Sequence, residues 1–166
     1  MDETNASTLC KSCGLCCDGH LFAWVKLRPA ELDSAEALGM KVFRSDPNQR
    51  GFSQPCPLWK GECTIYTTPQ YPHACRSYNC KLLKEVIAEK TSLPHALTVI
   101  EQAKGMIHEV ETLLPPSPII NFRERLVAQL EEENADPKFR QKADALLNFY
   151  ENVFGVKDLV DTPEEQ

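Results

Sequence analysis

Eight cysteines, none beyond Cys80, constrain this 166-residue chain more than any other feature. Four fall within one short run, Cys10, Cys13, Cys16 and Cys17, and the rest follow at Cys56, Cys63, Cys75 and Cys80. Thiolates at two-residue spacing can turn back onto one ion or cluster, because the intervening pair lets the backbone curl with its N–H groups facing sulfur. The first half of the chain therefore holds soft ligands, and the cysteine-free second half has another task.

Redox compartment decides how such thiols are read. The N-terminus, Met1 to Thr8, is polar and acidic and lacks a basic-then-apolar leader, and no apolar run approaches the roughly 18 residues that span a bilayer. A cytoplasmic protein is the expectation, and there reducing conditions favour metal ligands or redox thiols over a disulfide framework. Hydrophobic residues at 42% and charged residues at 25% suit an ordinary globular core. A net charge of −6 argues against general nucleic-acid binding, which draws on surplus Lys and Arg.

Along the chain the pattern predicts an α+β protein. Residues 1–83 read as a small, irregular, cysteine-rich metal-binding half with short strands, and residues 84–166 as a helical extension packing on it. Leu21 to Leu27 is apolar and β-branched enough for a strand, Pro29 opens a helix that Gly39 stops, and Val42-Phe43 is a second candidate strand. Asp46-Pro47-Asn48 and Arg50-Gly51 read as loop. Gly61, between Leu58-Trp59 and Thr64-Ile65-Tyr66, suggests a hairpin with Cys56 and Cys63 on its arms. About four helices follow: one over about 80–90, one capped by Ser92 and running to about Leu114, one from about Ile119, and one opened by Asp136-Pro137 and closed by Gly155. The polar tail from Lys157 to Gln166 reads as frayed.

The cysteine count divides by four in two ways: two closed four-thiolate zinc sites, or one iron–sulfur cluster with a second set of ligands or spare thiols. Cys10, Cys13 and Cys16 match the C-x₂-C-x₂-C spacing of [4Fe–4S] ferredoxins, whose fourth cysteine comes from elsewhere. Cys17 is adjacent to Cys16 rather than after a three-residue gap, and Cys56-Pro57 carries the proline that the ferredoxin run wants, so a remote cysteine is the natural fourth ligand. Neighbouring side chains in an extended segment point to opposite faces. Cys16 and Cys17 thus serve two sites, or one of them is a packed or reactive thiol.

Taken together, Cys10-x₂-Cys13-x₂-Cys16-Cys17, Cys56-Pro57-Leu58, Gly61-Glu62-Cys63-Thr64-Ile65-Tyr66 and Pro72-x₂-Cys75-Arg76-x₃-Cys80 resemble the YkgJ-type cysteine-cluster family, described as a zinc- or iron-chelating domain. The likeness runs over about residues 10–83 and implies metal chelation with all eight cysteines as ligand candidates. A similar pattern occurs within flagellin lysine methylases, which implies an alternative in which the chain is an enzyme component for electron transfer or protein modification. No glycine-rich nucleotide loop accompanies it here, and Thr68-Pro69-Gln70-Tyr71-Pro72 lacks the basic residue that the family usually places before its proline.

Other residues are read more plainly. Arg76, next to Cys75, is a candidate donor to thiolates or a surface ion-pair partner. His20 and His73 lie near cysteines and are alternative ligands; Tyr66 and Tyr78 read as packing, His95 and His108 as helix residues, and Glu131 to Glu133 as a solvated helix end. No triad order, paired carboxylate or phosphate loop names a catalyst beyond the cysteines. The helical half is the surface on which an unidentified protein partner would dock.

Overall fold

A three-stranded antiparallel sheet and a set of packed helices form an α+β fold in the computed structural model, which describes residues 4–157. The expectation of a frayed tail falls on residues 158–166, outside the described residues apart from Lys157. The order is α1 (Asn5–Cys13), β1 (Trp24–Lys26), a 3₁₀ turn (Pro29–Glu31) leading into α2 (Leu32–Ala37), β2 (Val42–Phe43), β3 (Gly51–Ser53), α3 (His73–Ser77), α4 (Lys81–Ile87), α5 (Leu93–Leu113), α6 (Phe122–Glu131) and α7 (Pro137–Phe149), which runs on into a π turn at Tyr150–Phe154. Strands lie in the first half and the long helices in the second, as the pattern predicts. Among the described residues no helix is long and apolar enough to cross a membrane.

One helix goes unread in the sequence, and two local expectations are corrected. Residues 5–13 form a helix, with Thr4 as N-cap accepting from the Ser7 N–H at 3.1 Å, although only Leu9 on it is buried. Arg50-Gly51, expected as loop, leads into the central strand. The sheet order is β1-β3-β2, with Phe52 opposite both Val25 and Val42. Gly51 is admitted there by close backbone approach, since a Cβ would lie 2.0 Å from the Val25 carbonyl oxygen. The hairpin expected around Gly61 reduces to a single antiparallel bridge between Trp59 and Cys63.

Two apolar cores result. The smaller lies under the sheet and gathers Val25, Leu27, Leu32, Ala35, Met40, Phe52, Ile65 and Ala74. The larger is helical, built on fully buried Ala96, Ala103, Val110, Leu126, Ala143, Leu146 and Tyr150. It also takes in Leu9, Leu15, Leu21 and Phe22 from the cysteine-rich half. Each such Leu or Phe stabilises the fold by about 1.5–3 kcal/mol when fully buried. The helical half therefore packs on the N-terminal cysteine run directly.

The caps explain why these helices start where they do. Ser92 accepts from the His95 N–H, Asn121 from the Glu124 N–H, and Asp136 from the Lys138 N–H, with Pro94 and Pro137 in the first turns of α5 and α7. Asn121 does more than cap. Its side-chain amide donates to the carbonyls of Gly19, Phe22 and Gln54 at 3.5, 3.3 and 3.1 Å, so one buried residue of the helical half closes two loops of the other half.

Candidate metal centre

The first thiols are placed by α1 and its end. Cys10 and Cys13 are three residues apart and so share one helix face. Gly14 terminates the helix in the left-handed region at φ 70°, and a Cβ there would lie 2.2 Å from the Trp59 ring, so a side chain is excluded both by conformation and by space. The chain then folds tightly: the Leu15 carbonyl accepts from the N–H groups of His20 and Leu21, both at 3.1 Å, which fixes Cys16 and Cys17 between them. Cys80 arrives from the other end of the half as the N-cap of α4, its sulfur accepting from the Leu83 N–H at 3.4 Å. Cys10, Cys13, Cys16 and Cys80, with Cys17 beside them, line a cavity of about 60 Å³ whose remaining wall is mainly apolar, including Leu21, Leu82, Ile100 and Phe154.

The other thiols gather on the smaller core. Cys56 is held against Cys17, whose carbonyl accepts from the Cys56 N–H at 2.6 Å. Cys63 lies across the short turn at the Trp59 bridge, and Cys75 lies on α3. Glu31 positions that helix. One of its carboxylate oxygens accepts from the Arg28 N–H at 2.8 Å and the other from the His73 N–H at 2.7 Å, in the first turn of α3. The Tyr71 hydroxyl donates to the Cys75 carbonyl at 3.0 Å. Cys56, Cys63 and Cys75 pack on the sheet core, whereas Cys13, Cys16 and Cys80 pack on the helical core. Lys11, stacked 5.0 Å from the Tyr66 ring centre, links α1 to the second group.

Burial is the leading influence on every thiol and pushes all eight up, to about 11 for Cys10 and about 12 for Cys13. Their neighbours add to it. Cys13 is raised further by Cys80 and Cys10, and Cys16 by Cys13 and Cys17 ahead of Cys80 and Cys10, while Cys17 is raised by Cys75, Cys63, Cys56 and Cys10, and Cys75 by Cys56, Cys63 and Cys10. Backbone N–H groups work in the opposite direction, stabilising thiolate: Leu15 on Cys13, Leu82 and Leu83 on Cys80, Leu58 and Trp59 on Cys56, and Ile65 and Tyr66 on Cys63. Donors two and three residues beyond a cysteine are the curl that the spacing argument requires.

All eight cysteines are free thiols. Among the described residues no three His, Cys, Asp or Glu side chains are gathered into a ready-made metal-binding group. The sulfurs are near enough to raise one another's proton affinity without converging on one point. As a donor set they fit a soft ion or cluster by chemistry: buried thiols, backbone N–H donors to sulfur, and a largely apolar surround.

The remaining sequence candidates fall elsewhere. Arg76 donates to the Thr68 carbonyl and stacks 5.4 Å from the Tyr71 ring centre, which accounts for it without a thiolate. His20 lies between two carboxylates, Nδ1 2.6 Å from Asp18 and Nε2 3.1 Å from Glu111 on α5. His73 contributes its backbone N–H to Glu31. Tyr66 pairs with Tyr71 and Tyr78 with Phe22, as packing residues do, and His95 and His108 are exposed. Sequence reasoning missed Glu31, Trp59 and Asn121. Glu31 alone left a signal, a Glu two residues after Pro29 at a helix start. Comparison with family models, curated proteins and solved structures found no match.

Proposed function

We propose that this chain is a metal-binding protein that holds an iron–sulfur cluster or zinc through its clustered cysteines, and works in a reducing compartment such as the cytosol. The observation that carries the reading is that four separate stretches of chain bring all eight cysteines to one seam between two cores, with four of the sulfurs accepting backbone N–H groups. A pool of surface thiols would need no such convergence. The resemblance to the YkgJ-type family agrees with it. Zinc would supply folding free energy without redox chemistry, and a cluster would add one-electron transfer. The protein's own part is to bury the sulfurs, to donate N–H groups to them and to keep water away with Leu21, Leu82, Ile100 and Phe154.

The test is anaerobic purification followed by elemental analysis, an absorption spectrum and thiol alkylation on one sample. Retained iron or zinc, with thiols that alkylate only after denaturation or chelation, is the expected result. A metal-free protein whose thiols all react at the rate of free cysteine, and whose melting point is unchanged by zinc or by iron with sulfide, overturns it. Broad visible absorption bleached by dithionite would select the cluster; a colourless zinc protein would leave the helical half as the surface on which to seek a partner.

A further inference from the structure

We propose that the eight cysteines form two sites divided at the Cys16–Cys17 peptide bond: Cys10, Cys13, Cys16 and Cys80 hold a cubane iron–sulfur cluster, and Cys17, Cys56, Cys63 and Cys75 hold a single zinc ion. This rests on the metal-binding reading above and goes beyond it in saying which thiols act together and what each set holds.

The two cores draw the boundary. Cys13, Cys16 and Cys80 pack on the helical core and Cys56, Cys63 and Cys75 on the sheet core, without overlap. The two remaining cysteines complete the fours. Cys10 shares a face of α1 with Cys13 and lines the cavity with the first set, and Cys17 is tied by its carbonyl to the Cys56 N–H at 2.6 Å. Backbone N–H donors are shared evenly, serving Cys13 and Cys80 in one set and Cys56 and Cys63 in the other. Adjacent residues that cannot both face one ion are thereby each given a site.

What each set holds follows from spacing and room. The first set contains the whole C-x₂-C-x₂-C run, and its fourth member is Cys80 rather than Cys56, which lies in the other set; three close cysteines and one remote one are the ligand arrangement of a cubane. A cluster needs space beyond its sulfurs, and these four border the apolar cavity of about 60 Å³; Cys17 also reaches its wall, whereas Cys56, Cys63 and Cys75 lie outside it. The second set has a tight turn, in which Cys63 bridges back to Trp59 just after Cys56, and three of its four thiols lie away from that cavity, which suits one tetrahedral ion.

The adjacent pair supplies the test. Anaerobically purified wild-type protein should contain about four irons, about four sulfides and about one zinc per chain. Cys16→Ser should lower iron at least tenfold and leave zinc, and Cys17→Ser should lower zinc at least tenfold and leave iron, with far-UV circular dichroism checking that each variant is folded. Loss of the same metal, or of both metals, from two folded variants overturns the division. Should the serine variants not fold, zinc K-edge X-ray absorption on the wild type decides: four sulfur neighbours are expected, and any nitrogen or oxygen neighbour overturns the zinc set. Wild type with about two zincs and no iron overturns the cluster while leaving the metal-binding reading intact. Wild type that holds no metal, and gains none on reconstitution, sinks that reading and this one with it.

Discussion

The Tyr150 hydroxyl donates a hydrogen bond of 2.9 Å to the carbonyl oxygen of His20, joining residues 130 positions apart. Tyr150 is fully buried at the end of the last long helix, and His20 follows the cysteine run by three residues. The phenol therefore fixes the backbone that carries Cys16 and Cys17 from the far end of the chain. Tyr150→Phe keeps the ring and leaves that carbonyl unpaired, at a cost of about 1–3 kcal/mol. For a chain of this size the melting point should fall by roughly 2–12 °C, measured by calorimetry.

Asn121 should matter more. Asn121→Ala removes the cap of α6 together with the donor to three loop carbonyls, and an expected loss of roughly 2–4 kcal/mol is measurable by urea denaturation. Asn121→Asp separates the two roles, because the carboxylate still accepts from Glu124 but donates nothing to Gly19, Phe22 or Gln54. A small loss in Asn121→Asp would show that the cap, not the loop clamp, carries the effect.

His20 gives the fold a pH dependence. Burial pulls its pKa down, and Asp18 and Glu111 more than offset that, so the folded value is raised above the ordinary 6.5. A raised value means that the charged clamp contributes fully below the ordinary value and is lost as pH climbs through the folded one. The melting-point advantage of wild type over His20→Asn should be largest near about pH 6 and should shrink by about pH 9. An advantage that is constant with pH would assign His20 to packing against Phe122, 5.1 Å away between ring centres, instead.

Gly14→Ala should be among the most costly single changes at the site. The left-handed φ of 70° costs about 1–3 kcal/mol for a residue with a Cβ, before any clash with Trp59. Trp59→Ala in the same chain should recover only the steric part, so a double-mutant cycle by chemical denaturation should show positive coupling. Additive losses would mean that the two do not meet. On the metal-binding reading proposed above, the single variant, whose change follows Cys13 directly, should also retain less metal.

Reading the chain alone recovers the helical half well and the cysteine-rich half unevenly. Ser92, Asp136-Pro137 and Gly155 mark helix ends by local chemistry that tertiary structure did not override. Helix α1 carries end marks of the same kind in Thr4 and Gly14 but goes unread, because only Leu9 along it is buried and its turns carry cysteines where apolar periodicity would normally be sought. Strand β3 was hidden by Gly51, a residue chosen by its closeness to Val25, which lies 26 positions away in sequence and close only in the fold. The thiols were legible as a set of eight. Their placement on two cores was not, since it depends on α4 bringing Cys80 back to α1 and on Cys17 meeting Cys56.

The 130-residue reach from Tyr150 to His20 also sets an order of events during synthesis. At about 5–20 residues per second, roughly 7–26 s pass between emergence of His20 and arrival of Tyr150. All eight cysteines precede Ile100 and Phe154, which wall the cavity beside the first four. The nascent chain thus presents its cysteines open to solution for several seconds, long enough for a small-molecule or protein donor to reach them. Phe154, just past α7, is the last of the cavity-lining residues to arrive, and it completes the apolar wall beside the thiols.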